Sequence, residues 1–79
     1  MREGTKSKLD EIMRAVLELP VGAPVADASQ RSHAAWDSLA HVVLIGAIES
    51  EFALTIDAAD SLELTSYEAI AHFLEARGL

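Results

Sequence analysis

Trp36-Asp37-Ser38-Leu39 is the stretch where residue types and spacing first suggest chemistry. Asp37 has the side chain of a helix N-cap, a carboxylate able to accept amide N–H groups that a first turn leaves without partners. Ser38 then falls at the first helical position, with its hydroxyl pointing outward beside the partial positive charge of the helix end. Backbone amides and the helix dipole would favour a phosphate esterified to that oxygen. The pattern is that of a serine raised at a helix tip to accept an attachment. A second Asp-Ser-Leu, at Asp60-Ser61-Leu62, is a weaker candidate, because Ser61 lies inside a short helical turn and not at the start of a long one.

Other chemistries find little support. The chain has no cysteine, so it has no disulfide framework, no thiolate metal site and no thiol nucleophile of its own. His33, His41 and His72 are too far apart for a recognisable metal motif. Asp37, Ser38 and His41 invite a hydrolytic reading, but periodicity puts His41 on a different helical face from Ser38, and no Gly-x-Ser-x-Gly elbow is present. Asp57-Ala58-Ala59-Asp60 lacks the alternating oxygen ligands and central glycine of a calcium loop. Gly4, Gly22, Gly46 and Gly78 are scattered and form no phosphate-binding loop.

The elements that must position Ser38 follow from hydrophobic period. Leu9, Ile12, Met13, Val16 and Leu17 predict a first helix over about 6–19, after a frayed Met1–Thr5 and before Pro20. Residues 20–36 form a long loop, expected to be pinned by Val21 and Val25, with Arg31, Ser32 and His33 placed where they can help partners approach. A second helix over 37–52 turns Leu44, Ile45, Ile48 and Phe52 inward, with His41 near the edge. Its other side carries Leu39, Val42, Val43, Gly46, Glu49 and Ser50, more apolar than a solvated face requires. That side reads as a docking surface with an acidic rim at Glu49 and Glu51, unless a neighbouring loop covers it. Asp57 caps a short third helix over 57–62. Thr65 and Glu68 make a capping box for a fourth over 66–77, with Tyr67, Ile70, Ala71 and Leu74 inward. Leu44, Ile48, Phe52, Ile56, Leu62 and Ile70 are the expected core. Trp36 is either a packing residue or a platform for an attached arm or a docking partner.

Asp37-Ser38-Leu39, the helix end Ala47-Ile48-Glu49-Ser50-Glu51-Phe52 and the following Leu54-Thr55-Ile56 resemble the acyl carrier protein family, from about Lys6 to Arg77. The resemblance implies a small all-α four-helix bundle, with three main helices and a short third, filling residues 1–79 as one carrier domain. It implies 4'-phosphopantetheine on Ser38, with Asp37 and Leu39 flanking the attachment. Trp36, Leu39, Val42, Val43 and Glu49 are then the candidate docking residues. It also implies an apolar shelter for cargo between the second helix and its neighbours. Partners would be a phosphopantetheinyl transferase, an acyl-loading ligase or transferase, and downstream acyl-processing enzymes. Two departures stand out. Ala34 and Ala35 occupy positions where the family often has a glycine, and Ala40, His41 and Val43 lie where carriers of the fatty-acid synthase type usually place acids.

Composition agrees with such a role. Net charge is −7, and the half from His41 onward has Arg77 as its one cation against seven acids. Such a surface repels nucleic acid and anionic membranes and suits basic protein partners. A chain this short buries only about 60% of its unfolded surface, leaving little room for a deep cleft. No apolar run approaches membrane-spanning length, and the start lacks a signal-peptide core, so a cytoplasmic location is expected, and the resemblance implies a free-standing, monomeric carrier. Peptidyl or aminoacyl cargo, and an acidic helical interaction module that is never modified, are the alternatives.

Overall fold

Helical periodicity becomes four α-helices in the computed structural model, which describes residues 1–79. α1 spans Glu3–Leu17, α2 Ser38–Phe52, α3 Ala58–Glu63 and α4 Tyr67–Glu75, and one 3₁₀ turn, Val25–Asp27, interrupts the long first connection. The expected all-α bundle of three main helices and a short third is therefore what forms.

α1 buries Thr5, Leu9, Met13 and Leu17, a row spaced by four that lies along one face of a helix. Because Thr5 belongs to that row, the first turn is packed and not frayed, and the helix begins ahead of the expected Lys6. It also stops before Leu19. Glu18 turns left-handed at φ 53°, and its N–H and that of Leu19 both reach the Arg14 carbonyl, leaving Pro20 outside. α2 ends the same way at Ala53, φ 51°. At the chain end, Gly78 at φ 79° lets Leu79 N–H return to the Leu74 carbonyl, which closes α4.

The long loop is ordered by core contacts and by backbone pairing. Val25, Ala28 and Trp36 enter the core, while Val21 is fully exposed and pins nothing. Ser29 pairs antiparallel with Ser66 in an isolated bridge, Gln30 N–H donates to the Thr65 carbonyl, and Tyr67 N–H donates to that of Ala28. These bonds satisfy loop backbone groups that would otherwise be lost to water. They also explain a shift in the cap of α4. Ser66, not Thr65, accepts the first-turn amide, from Ala69 at 3.0 Å, since the Thr65 backbone is tied to the loop.

Leu44, Ile48, Ile56 and Ile70 are in the core as expected, and Phe52 packs half-buried at its rim. Leu62 is not in it. It is 79% exposed, and Leu64, 4% exposed, takes the inward place. α3 is too short to set a stripe of its own, and none of its residues is buried.

Tyr67 adds a pH-dependent tie between α4 and α1. Its hydroxyl donates to Asp10 Oδ1 at 2.7 Å, and Lys6 pairs with the other oxygen of the same carboxylate. Burial first, then the hydrogen bond to Asp10 and its charge, push the Tyr67 hydroxyl well above the ordinary tyrosine value. In the unfolded chain the phenol ionises near about pH 10, while the folded chain keeps its proton. The stabilisation is thus complete below about pH 10 and falls as pH rises past it. Urea midpoints of Tyr67→Phe should therefore fall less steeply than those of the wild type above about pH 10. Parallel falls would show that the phenol is not the group responsible.

Candidate functional site

Asp37 caps α2 as its sequence requires, with Oδ1 accepting Ala40 N–H at 2.8 Å. Ser38 is the first residue of the helix and is exposed. Its amide and that of Leu39 have no carbonyl one turn back to bond, so they remain free to face an anion. The competing Ser61 is differently placed. It is the fourth residue of α3, part-buried, with Oγ 3.2 Å from His41 Nε2.

Open grooves run along both sides of the α2 start. One, about 530 Å³, has Ser38, His41 and Val42 as its α2 wall and Ala58, Ser61 and Leu62 as its α3 wall, with Gln30 and Thr65 completing the lining. The other, about 470 Å³, lies toward α1, between Ala15, Val16 and Glu18 on one side and Asp37, Leu39, Ala40 and Val43 on the other. The shelter expected between α2 and its neighbours is thus an open groove. The core residues Leu44 and Ile48 are fully packed.

His41 shares the first groove with Ser38, which corrects the expectation of a different face. Side chains on a helix lean toward its N-terminus, so residues three apart meet the same neighbour. Trp36 Nε1–H donates to His41 Nδ1 at 3.0 Å. An indole N–H can only donate, so Nδ1 is the acceptor and the ring proton sits on Nε2. Nε2 in turn donates to the Ser61 carbonyl at 2.8 Å. Both nitrogens are committed away from Ser38, and no hydrolytic relay is assembled.

Trp36 offers no surface to a partner. It is 2% exposed, and its indole lies edge to edge with the His41 ring, the two planes 26° apart and the centroids 6.1 Å apart. Among the other candidates, Leu39, Val42 and Val43 are 74%, 69% and 52% exposed, and no loop covers them. Glu49 does not form an acidic rim, because its Oε2 accepts the Ile56 amide at 2.9 Å and fastens the turn leading to α3. Glu51 pairs with Lys8. His33 is engaged within its own loop by Ser32 and Ser29, and His72 lies exposed on α4. No group of three or more His, Asp or Glu gathers to hold a metal, and no helix is long and apolar enough to cross a membrane.

The groove partners His41, Ser61, Gln30 and Thr65 were missed as site residues. Ser38, His41 and Val42 stand at i, i+3 and i+4, a spacing that marks one helical surface, so part of the lining was open to inference. Ser61 and Thr65 arrive only through the tertiary placement of α3.

Comparison with curated proteins yields no match. Residues 7–74 match the family model described as a phosphopantetheine attachment site. With most of its length inside that match, folded as the helical bundle such carriers use, this chain belongs to the phosphopantetheine attachment-site family and is a carrier protein bearing covalent 4'-phosphopantetheine.

Proposed function

We propose that Ser38 is the residue that bears the arm, and that the chain carries acyl groups in a dedicated fatty-acid, polyketide or related biosynthetic pathway. The observation that carries this reading is the exposed hydroxyl at the first position of α2, beside free amides and between two open grooves. These residues fit the group. Ser38 Oγ can reach a transferase-bound coenzyme A, and the Ser38 and Leu39 amides favour the phosphate that results. The arm supplies a thiol that this cysteine-free chain lacks, and on it an acyl group is held as a thioester. A tether of this kind keeps the intermediate at high effective concentration as partners take turns.

Acyl cargo is favoured by the apolar part of the groove beside Ser38, formed by Val42, Ala58 and Leu62. The mass of the thioester-bound group on protein from the native host tests this directly. An aminoacyl or peptidyl mass would overturn it.

Phosphopantetheinyl transferases and biosynthetic enzymes are the general partners of such carriers. Here the contact face of α2 is aliphatic, since from Ser38 to Ile48 it carries no acid. Gly46 supports that reading. A glycine inside a helix costs about 1 kcal/mol relative to alanine, and a Cβ at this position would meet nothing within 4 Å. The chain itself gives no reason for it, whereas a partner backbone drawn close to α2 does. Gly46→Ala is expected to raise unfolding stability by about 1 kcal/mol while slowing modification or loading several-fold. Unchanged rates with both enzymes would remove the docking role of this face.

A further inference from the structure

α3 is a wall with little of its own to hold it in place. None of its residues is buried, and its apolar anchors, Ile56 and Leu64, flank it on either side. Between those anchors two polar ties reach it from other elements. Arg77 pairs with Asp60 at 3.9 Å, with both side chains about two-fifths exposed, and screening leaves such a pair weak. The second tie is His41 to Ser61, which is part-buried and short.

That second tie depends on a neutral ring. Trp36 Nε1–H points at Nδ1 across 3.0 Å and can only donate. Protonation of His41 would place a second hydrogen in that gap, setting donor against donor. Trp36 is buried in the core and cannot turn to water, so the imidazolium has to move outward into the groove that it lines. Ser61 then either loses the bond or is displaced with the ring, and nothing buried within α3 resists the shift. The titratable groups on the surrounding elements are Asp37 capping α2, Asp57 capping α3, Asp60 and Glu63 within α3, and Arg31 and His33 in the loop before Trp36, with Arg77 just after α4 held at Asp60. None of them lines the groove.

We propose that His41 is a proton-sensitive latch, which when neutral holds α3 in place as one wall of the groove beside Ser38 and when protonated releases it. The inference rests on the reading of Ser38 only in giving that groove a use. The test employs the unmodified chain, so its failure leaves attachment at Ser38 untouched, and failed attachment leaves the latch intact.

Nuclear magnetic resonance of the full chain decides the matter. Ring nitrogen shifts are expected to show the Nε2–H tautomer at neutral pH. Hydrogen-exchange protection from Ser61 to Leu64 is expected to fall about tenfold as His41 titrates, the scale of one lost hydrogen bond, while protection at Leu44 and Ile48 holds. His41→Asn keeps an acceptor for Trp36 but cannot titrate or reach Ser61. In that variant α3 should be weakly protected at every pH. Trp36→Phe keeps a ring in the core and removes the confronting donor, so α3 should stay protected to lower pH than in the wild type. An Nδ1–H tautomer, flat α3 protection while His41 titrates, or a wild-type pH response in His41→Asn would each overturn the latch.

Discussion

Ser38→Ala is expected to abolish modification outright: after incubation with coenzyme A and a broad-specificity phosphopantetheinyl transferase, intact mass shows no gain. The wild type gains one phosphopantetheine, and Ser61→Ala gains one as well. The effect is total because only the oxygen at position 38 combines exposure, the first turn of a long helix and open space on both flanks. Ser61 has the same neighbours in sequence, yet it lies within α3 with its hydroxyl against His41. Loss of fold does not explain the result. Ser38 is exposed, and substitutions at such positions usually stay within about 0.5 kcal/mol of neutral. A matching denaturation curve separates a missing nucleophile from a missing structure. If Ser38→Ala still takes up the arm, the attachment lies elsewhere and Ser61 is the next residue to test.

How far the sequence discloses this arrangement depends on the range over which each feature is decided. The start of α2 is local. Asp37 caps it through an amide three residues on, and Leu44, Ile45 and Ile48 follow one helical face inward, so both were legible. The presence of α3 and its Asp57 cap were legible too, but its inward residue was not. α3 has too few residues to establish a stripe, so the choice between Leu62 and Leu64 falls to the turn at Leu64, which breaks the helical path. The cap of α4 slipped from Thr65 to Ser66 because the distant loop at Ser29 and Gln30 claims the backbone there. The docking readings of Glu49 and Trp36 turn on a related point. An acid on a helix reads as solvated, and a tryptophan beside an attachment motif reads equally as a packing residue or as a platform. Partners elsewhere in the fold, the Ile56 amide for one and His41 for the other, draw both inward.

Trp36→Ala is expected to cost the fold about 3–5 kcal/mol, the usual range for emptying a buried aromatic site. A domain of this length has roughly 4–12 kcal/mol in total, so the variant should sit near its unfolding transition at ambient temperature. Three contributions add at this one position. The indole is among the largest fully buried side chains of the core, it is the last inward anchor of the long loop before α2, and it supplies the hydrogen bond that fixes the His41 ring. Removing it leaves a cavity next to an acceptor without a donor. Since Trp36 is the sole tryptophan, circular dichroism in urea is the appropriate readout. Leu39→Ala and Val42→Ala, two helical residues nearby that are exposed, are expected to leave the midpoint almost unmoved. The contrast separates two kinds of apolar residue around Ser38: one held inward to aim the helix, the others turned outward where a partner can meet them. A Trp36→Ala midpoint close to the wild type would mean that the loop is pinned by Val25 and Ala28 alone, and that the start of α2 does not need the indole to hold its direction.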